Sequence, residues 1–176
     1  MSVLASQHIR ALIESPMPLI TGFTDIESQL QPNGFDLSLD AVEKFDGPGQ
    51  IGASNEQRIL PTSSSVPFQS DGFVDLQPGP YLARLTEGVS LPAGVMALAR
   101  PRSSLLRSGV AIHNAVWDAG YSGRSQVLIV VYNQMGFRLA KGARIVQMVF
   151  FGLDTDTESL YAGIYQNEAL ETQEDK

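Results

Sequence analysis

Cysteine is absent from the 176 residues. Without a thiol there is no disulfide framework, no thiolate zinc site and no cysteine nucleophile. That usage fits a reducing compartment. Histidine is scarce too, with only His8 and His113. A histidine-based zinc site is not expected from two such distant residues, and His8, among polar neighbours, reads as a surface residue. Positive charge is also short: 12 Lys and Arg against 19 Asp and Glu leave a formal net charge of -7. Nucleic acid polymers need a basic face, so they are not expected as partners. The acidic surplus reads as an ordinary solvated surface. No apolar run reaches the roughly 20 residues that span a bilayer as a helix. The N-terminus lacks the basic start and apolar centre of a secretion signal. The expectation is a cytoplasmic protein with no membrane partner.

The length suits one domain over residues 1–176, large enough to bury a core without metal or disulfide staples. Leu4, Ile9, Leu12 and Ile13 have helical spacing, with Ser6 as a candidate cap and Pro16 and Pro18 as stops. This predicts a helix within residues 1–15. Gln31-Pro-Asn-Gly34 is a turn signal, and Phe35 to Asp40 alternates as a half-buried strand with Asp36, Ser38 and Asp40 on one face. Residues 46–72 carry loop chemistry, with at most a short strand near Arg58 to Leu60. Beyond Phe73 the pattern is short strands and turns. Val127 to Val131 is an apolar, β-branched run that reads as a strand buried on both faces, and Ile145 to Phe151 reads likewise. After the first helix nothing has sustained helical period. The class is all-β: a sandwich, barrel or jelly roll.

Candidate chemistry concentrates between Arg100 and Gln147. Arg102, Ser103, Ser104 and Arg107 offer forked guanidinium donors and short hydroxyl donors in one tight segment. Such groups suit a phosphate chain; the alternative is a solvated loop whose arginines pair with surface acids. Asp118 sits on a turn after Ala115-Val116-Trp117, either as a turn-former or as a positioned base. Trp117, the single tryptophan, reads as core. Tyr121 is either a ring near the Asp118 site or a rim aromatic. Gln147 interrupts an apolar strand, where its amide bonds a neighbouring strand or a ligand. No Gly-rich strand-to-helix nucleotide loop is present.

Four segments, taken in order, resemble the dUTPase and dCTP deaminase superfamily. They are Gly34-Phe-Asp-Leu-Ser-Leu39, Pro101-Arg-Ser-Ser-Leu-Leu-Arg107, Trp117-Asp-Ala-Gly-Tyr-Ser-Gly123 and Ala143-Arg-Ile-Val-Gln147. Ala115 to Gly123, the first helix and Gly163-Ile-Tyr-Gln166 are most similar to the deaminase-like dUTPases typical of archaea. The resemblance implies a distorted jelly roll (a β-clip barrel) that assembles as a homotrimer. Its sites would lie between subunits and bind a deoxynucleoside triphosphate with Mg²⁺. It implies that Arg102, Ser103, Ser104 and Arg107 hold phosphates, with Gln147 assisting. Asp118 would meet the sugar 3′-hydroxyl and activate water. Tyr121 would pack on the deoxyribose and exclude a 2′-hydroxyl. Asp36 would approach the metal through water. The base would be read around His113, Asn114 and Val116, largely by main chain. Tyr165, and Gln166 at the start of a flexible tail over residues 166–176, would cover the site.

The superfamily's deaminases use a glutamate proton shuttle on the strand after the Asp118 turn. Counting back from Asn133, that position is Val130, and no acid occurs between Arg124 and Asn133. Valine moves no protons. The expected activity is therefore hydrolysis of dUTP to dUMP and pyrophosphate. The alternatives are dCTP deamination, possibly bifunctional, or a non-catalytic deoxynucleotide-binding trimer. In a purely structural jelly roll, Arg102 and Asp118 would point apart.

Overall fold

One strand, Gly34–Phe45, organises the architecture. In the computed structural model, which describes residues 2–170, its first half pairs antiparallel with Arg144–Gly152. Its second half pairs with Gly79–Leu85. A register shift between Leu39 and Ala41 marks the handover; an extra residue there bends and twists the strand. The sheet continues from Gly79–Leu85 through Gln126–Val131 to Val110–His113. On the other side Arg144–Gly152 also pairs with Ser2–Val3 and Val95–Pro101. The outcome is a curled, strand-dominated sheet, as the all-β reading requires. Its core gathers Phe35, Leu37 and Leu39 with Ile129, Met148 and Phe150. Full burial of one such side chain contributes about 1.5–3 kcal/mol.

The first helix spans Ser6–Ile13 and docks through Ile9 and Ile13. Ser6 does not cap it. Ala5 is the capping position and makes no side-chain bond, while the Ser6 N–H donates to the Pro32 carbonyl at 3.1 Å. A neighbouring backbone thus does the work expected of the hydroxyl. Two further short helices form, Ile26–Gln29 and Ser103–Arg107, so the arginine-serine segment is a helical turn rather than a loop.

Several strand expectations change. Ser63–Ser65 is an edge strand on Glu43 to Phe45, although serine carries little strand signal. Around Arg58 to Leu60 only an isolated Gln50–Ile59 bridge forms. In Gln126–Val131 burial alternates: Val127, Ile129 and Val131 are buried while Leu128 and Val130 are half-buried. Phe35 to Leu39 departs the other way. Asp36 and Ser38 are buried along with the apolar residues, because the strand is central and flanked on both edges. Among the described residues no helix is long and apolar enough to cross a membrane.

Candidate functional site

Strand register builds the first cleft. Gln147 pairs with Asp36 on one side and Arg100 on the other, so the three form a row across adjacent strands and their side chains share a face. Arg102 follows Arg100 by two residues, at the point where Val95–Pro101 gives way to Ser103–Arg107. The cleft, about 670 Å³, is lined by Asp36, Arg100, Arg102, Ser103, Arg107 and Gln147, among others. Three guanidiniums face one carboxylate, a local cationic surplus in an acidic chain. Ser104, one residue further along the helix, is exposed and does not line the cleft.

Asp36 is only 1% exposed. Its Oδ2 lies 3.1 Å from Arg102 Nε and 3.6 Å from Arg144 Nη1, yet it has no aligned hydrogen bond. Burial raises its pKa above the ordinary value, and the two arginines offset that only in part. Among the described residues no group of three or more His, Cys, Asp or Glu is placed to cage a cation. The donor set here suits a hard cation carried in on phosphate oxygens with its own waters.

Asp118 and Tyr121 line a second cleft of about 720 Å³, with Val116, Trp117, Ser125, Gln126, Tyr165 and Glu168. The turn that presents Asp118 is held by backbone. Trp117 and Ala97 exchange N–H to carbonyl bonds, and Gly120 N–H donates to Leu91. The Asp118 side chain is exposed. Trp117 is core, as expected, and Tyr121 is a buried wall rather than a rim aromatic. His113 and Asn114 are not among the lining residues; Ala115 and Val116 are. Tyr165 reaches the cleft, whereas the Gln166 amide bonds Gly120 and Ser122. Residues 166–170 of the expected flexible tail are thus laced down. Residues 171–176 lie outside the described residues.

The sequence-predicted site therefore divides. The guanidinium, hydroxyl and amide groups meet in one cleft. The carboxylate, aromatic and tail groups meet in another. Several participants escaped the sequence reading. Arg100 had a usable signal, because residues two apart on a strand share a face with Arg102. Arg144 lay inside the fourth segment, but its pairing with Asp36 did not show; Glu43 and Glu168 had no signal, because their partners are distant in sequence.

An all-β curled sheet with an anion-type cleft and a carboxylate-aromatic cleft fits the dUTPase and dCTP deaminase superfamily. The chain belongs to the dCTP deaminase-like family, whose profile matches residues 3–153. A relative in Methanosarcina barkeri, named "Probable deoxyuridine 5'-triphosphate nucleotidohydrolase", is 45% identical over 168 residues, covering 96% of this chain and 98% of that protein. One of the same name in Archaeoglobus fulgidus is 44% identical over 172 residues, covering 98% and 100%. The crystal structure of 2'-deoxycytidine 5'-triphosphate deaminase from Agrobacterium tumefaciens superposes with a TM-score of 0.64 at 24% identity. It covers 84% of this chain and 47% of that one, so this chain spans about half of its length. That likeness speaks to the fold.

Proposed function

We propose that the protein is a dUTP diphosphatase that converts dUTP and water to dUMP and pyrophosphate, and that it works as a homotrimer of distorted jelly-roll subunits. The observation that carries the reading is the division of the site. One cleft has phosphate-binding chemistry and a carboxylate already engaged by arginines, and the other has the exposed Asp118 carboxylate without arginines. A site between subunits joins the first cleft of one copy to the second cleft of its neighbour. That arrangement accounts for Arg102 and Asp118 standing apart within one chain.

In this assembly Arg102, Arg107 and Ser103 grip the phosphates through charge-assisted bonds, Gln147 adds an amide, and Ser104 lends its place in the helical turn. Tyr121 forms the deoxyribose wall, the chain from His113 to Val116 reads the base, and Tyr165 closes over it. Asp118 orients the attacking water and takes its proton as the bond between the α- and β-phosphates breaks. Mg²⁺ neutralises charge on the triphosphate when bound. Asp36, whose Oδ2 has no hydrogen-bond partner, would help hold that ion by accepting from its waters.

The strand Gln126–Val131 supports hydrolysis over deamination. Gln126 lines the second cleft, and Leu128 and Val130, which follow it on the same strand face, add no acid. Two other acids line this cleft, Glu43 and Glu168, but each already accepts a hydroxyl, from Ser63 and Tyr121. Their presence keeps dCTP deamination as the second reading.

The test is incubation with Mg²⁺ and dUTP, dCTP, dTTP or UTP, with pyrophosphate and ammonia measured. Pyrophosphate from dUTP without ammonia from dCTP is expected; ammonia from dCTP overturns the choice. Binding with no product from any nucleotide makes the protein a non-catalytic binder. Asp118→Asn is expected to lower turnover by about 10²-fold or more while dUTP still raises the melting temperature. Unchanged turnover in that variant removes Asp118 from the role of base.

A further inference from the structure

The second cleft holds a line of hydrogen bonds that the proposed reaction does not use. Trp117 Nε1 donates to Ser125 Oγ at 2.6 Å. Ser125 Oγ lies 2.7 Å from the Tyr121 hydroxyl, which lies 2.8 Å from Glu168 Oε1. Ser125 is 3% exposed and Tyr121 5%, so water does not readily replace these partners.

The order of the hydrogens follows from the donor inventory. An indole N–H only donates, so Ser125 accepts from it. The Ser125 hydrogen then goes to Tyr121, and the Tyr121 hydrogen goes to Glu168. Reversing a link leaves a buried donor unpaired, which is costly. Burial pushes the Tyr121 phenol well above its ordinary pKa; Ser125 pulls it down and Glu168 pushes it further up. The phenol therefore remains a donor, and the line ends on a carboxylate 47 residues away.

The segment that delivers Glu168 is laced along the loop 119–124. Tyr161 N–H donates to the Ala119 carbonyl, and the Gln166 side chain bonds the Gly120 carbonyl and the Ser122 N–H. Asn167 N–H donates to Ser122, and Arg124 N–H to the Glu168 carbonyl. Asn167 and Ala169 have positive φ, 62° and 50°. Alanine rarely adopts that conformation, so the contacts impose the path. Gly123 makes room for it: a Cβ there would stand 2.6 Å from the Tyr121 hydroxyl and 3.1 Å from Glu168 Cγ.

We infer that Glu168 is a positioning residue for Tyr121, and that the ring it fixes sets the preference for deoxyribose over ribose. The inference rests on the proposed placing of deoxyribose against Tyr121. A phenol held only at its base yields to a 2′-hydroxyl by a small tilt. Here the base is held by backbone, one edge by Tyr161, whose ring centroid is 5.6 Å away, and the tip by Ser125 and Glu168. Tilting then breaks one buried and one partly buried hydrogen bond, so the ribose clash is not relieved.

The test compares dUTP with UTP in wild type, Glu168→Ala, Glu168→Gln, Tyr121→Phe and the double variant Tyr121→Phe/Glu168→Ala. Preference is read as a ratio of kcat/KM and, without turnover, as a ratio of affinities from nucleotide-dependent melting shifts. Glu168→Ala is expected to reduce the preference by about tenfold. Glu168→Gln retains it, because its amide oxygen still accepts the phenol hydrogen. Glu168→Ala adds nothing in the Tyr121→Phe background. Trp117 is the only tryptophan, so its emission reports the far end of the line. Emission shifts alike in Glu168→Ala and Tyr121→Phe and stays put in Glu168→Gln. Lower melting temperature with unchanged preference makes Glu168 a structural brace and overturns the inference, as does an additive loss in the double variant. Failure of wild type to release pyrophosphate defeats the reaction assignment alone, since the affinity ratios and emission still judge Glu168.

Discussion

Two aspartates on the strand Gly34–Phe45 titrate in opposite senses. Burial works to raise the pKa of Asp40, but Arg84 at 3.0 Å, Arg124 at 2.8 Å and Lys141 at 3.6 Å outweigh it and leave it lowered from 3.8. A lowered folded-state value means stability that is present above 3.8 and lost as pH falls through the folded value. Asp40→Asn is therefore expected to melt below wild type at pH 7, with the gap closing as pH drops beneath 3.8. A gap that persists in acid disproves the charge account. Asp36 is raised by burial against Arg102 and Arg144, so its contribution is greatest below 3.8 and is lost as pH rises through its folded value. Asp36→Asn at neutral pH removes a buried charge and frees Arg102, which is partly solvated. The expected outcome is a melting temperature near wild type together with weaker dUTP affinity, read by titration.

At the scale of elements, the turn carrying Asp118 depends on what passes beneath it. Gly120 has φ of 86°, and a Cβ there would stand 2.7 Å from Leu160 Cβ and 3.1 Å from Tyr161 N. Gly120→Ala is expected to destabilise by at least about 1–2 kcal/mol from the left-handed backbone alone, seen as a lower denaturant midpoint at fixed protein concentration. The same segment shows what sequence can and cannot disclose. Asp118 and Gln147 stood out because a polar residue among apolar or turn residues is a local anomaly, and Arg102 because guanidiniums and hydroxyls cluster around it. The first helix and the apolar strands were legible through spacing. Ser63–Ser65 was not, since its strand identity comes from pairing with Glu43 to Phe45 rather than from propensity. Glu168 was not legible either. Nothing near it in the chain marks a carboxylate that meets a tyrosine 47 residues earlier. Val127 to Val131 was over-read: a wholly apolar run suggested burial on both faces, yet Leu128 and Val130 are half-buried.

At the scale of the whole molecule, the separation of the two clefts makes a prediction about mixing. Arg102→Ala and Asp118→Asn are each expected to be nearly inactive as pure assemblies. If the proposed trimer is right, unfolding them together and refolding gives mixed trimers in which some interfaces join an intact phosphate cleft to an intact Asp118. Random assembly predicts recovery of about a quarter of wild-type activity. No recovery, with mixed trimers verified by mass spectrometry, places both residues in a site within one chain.

The shared central strand has a consequence for biosynthesis. Gly34–Phe45 leaves the ribosome early, but its partner Arg144–Gly152 begins more than a hundred residues later. At roughly 5–20 residues per second, the nascent chain carries that strand with an unpaired edge for about 5–20 s. Until then Phe35, Leu37 and Leu39 lack the side chains that bury them. The sheet closes only after Arg144–Gly152 has been made, so the apolar face of the central strand stays open through that interval.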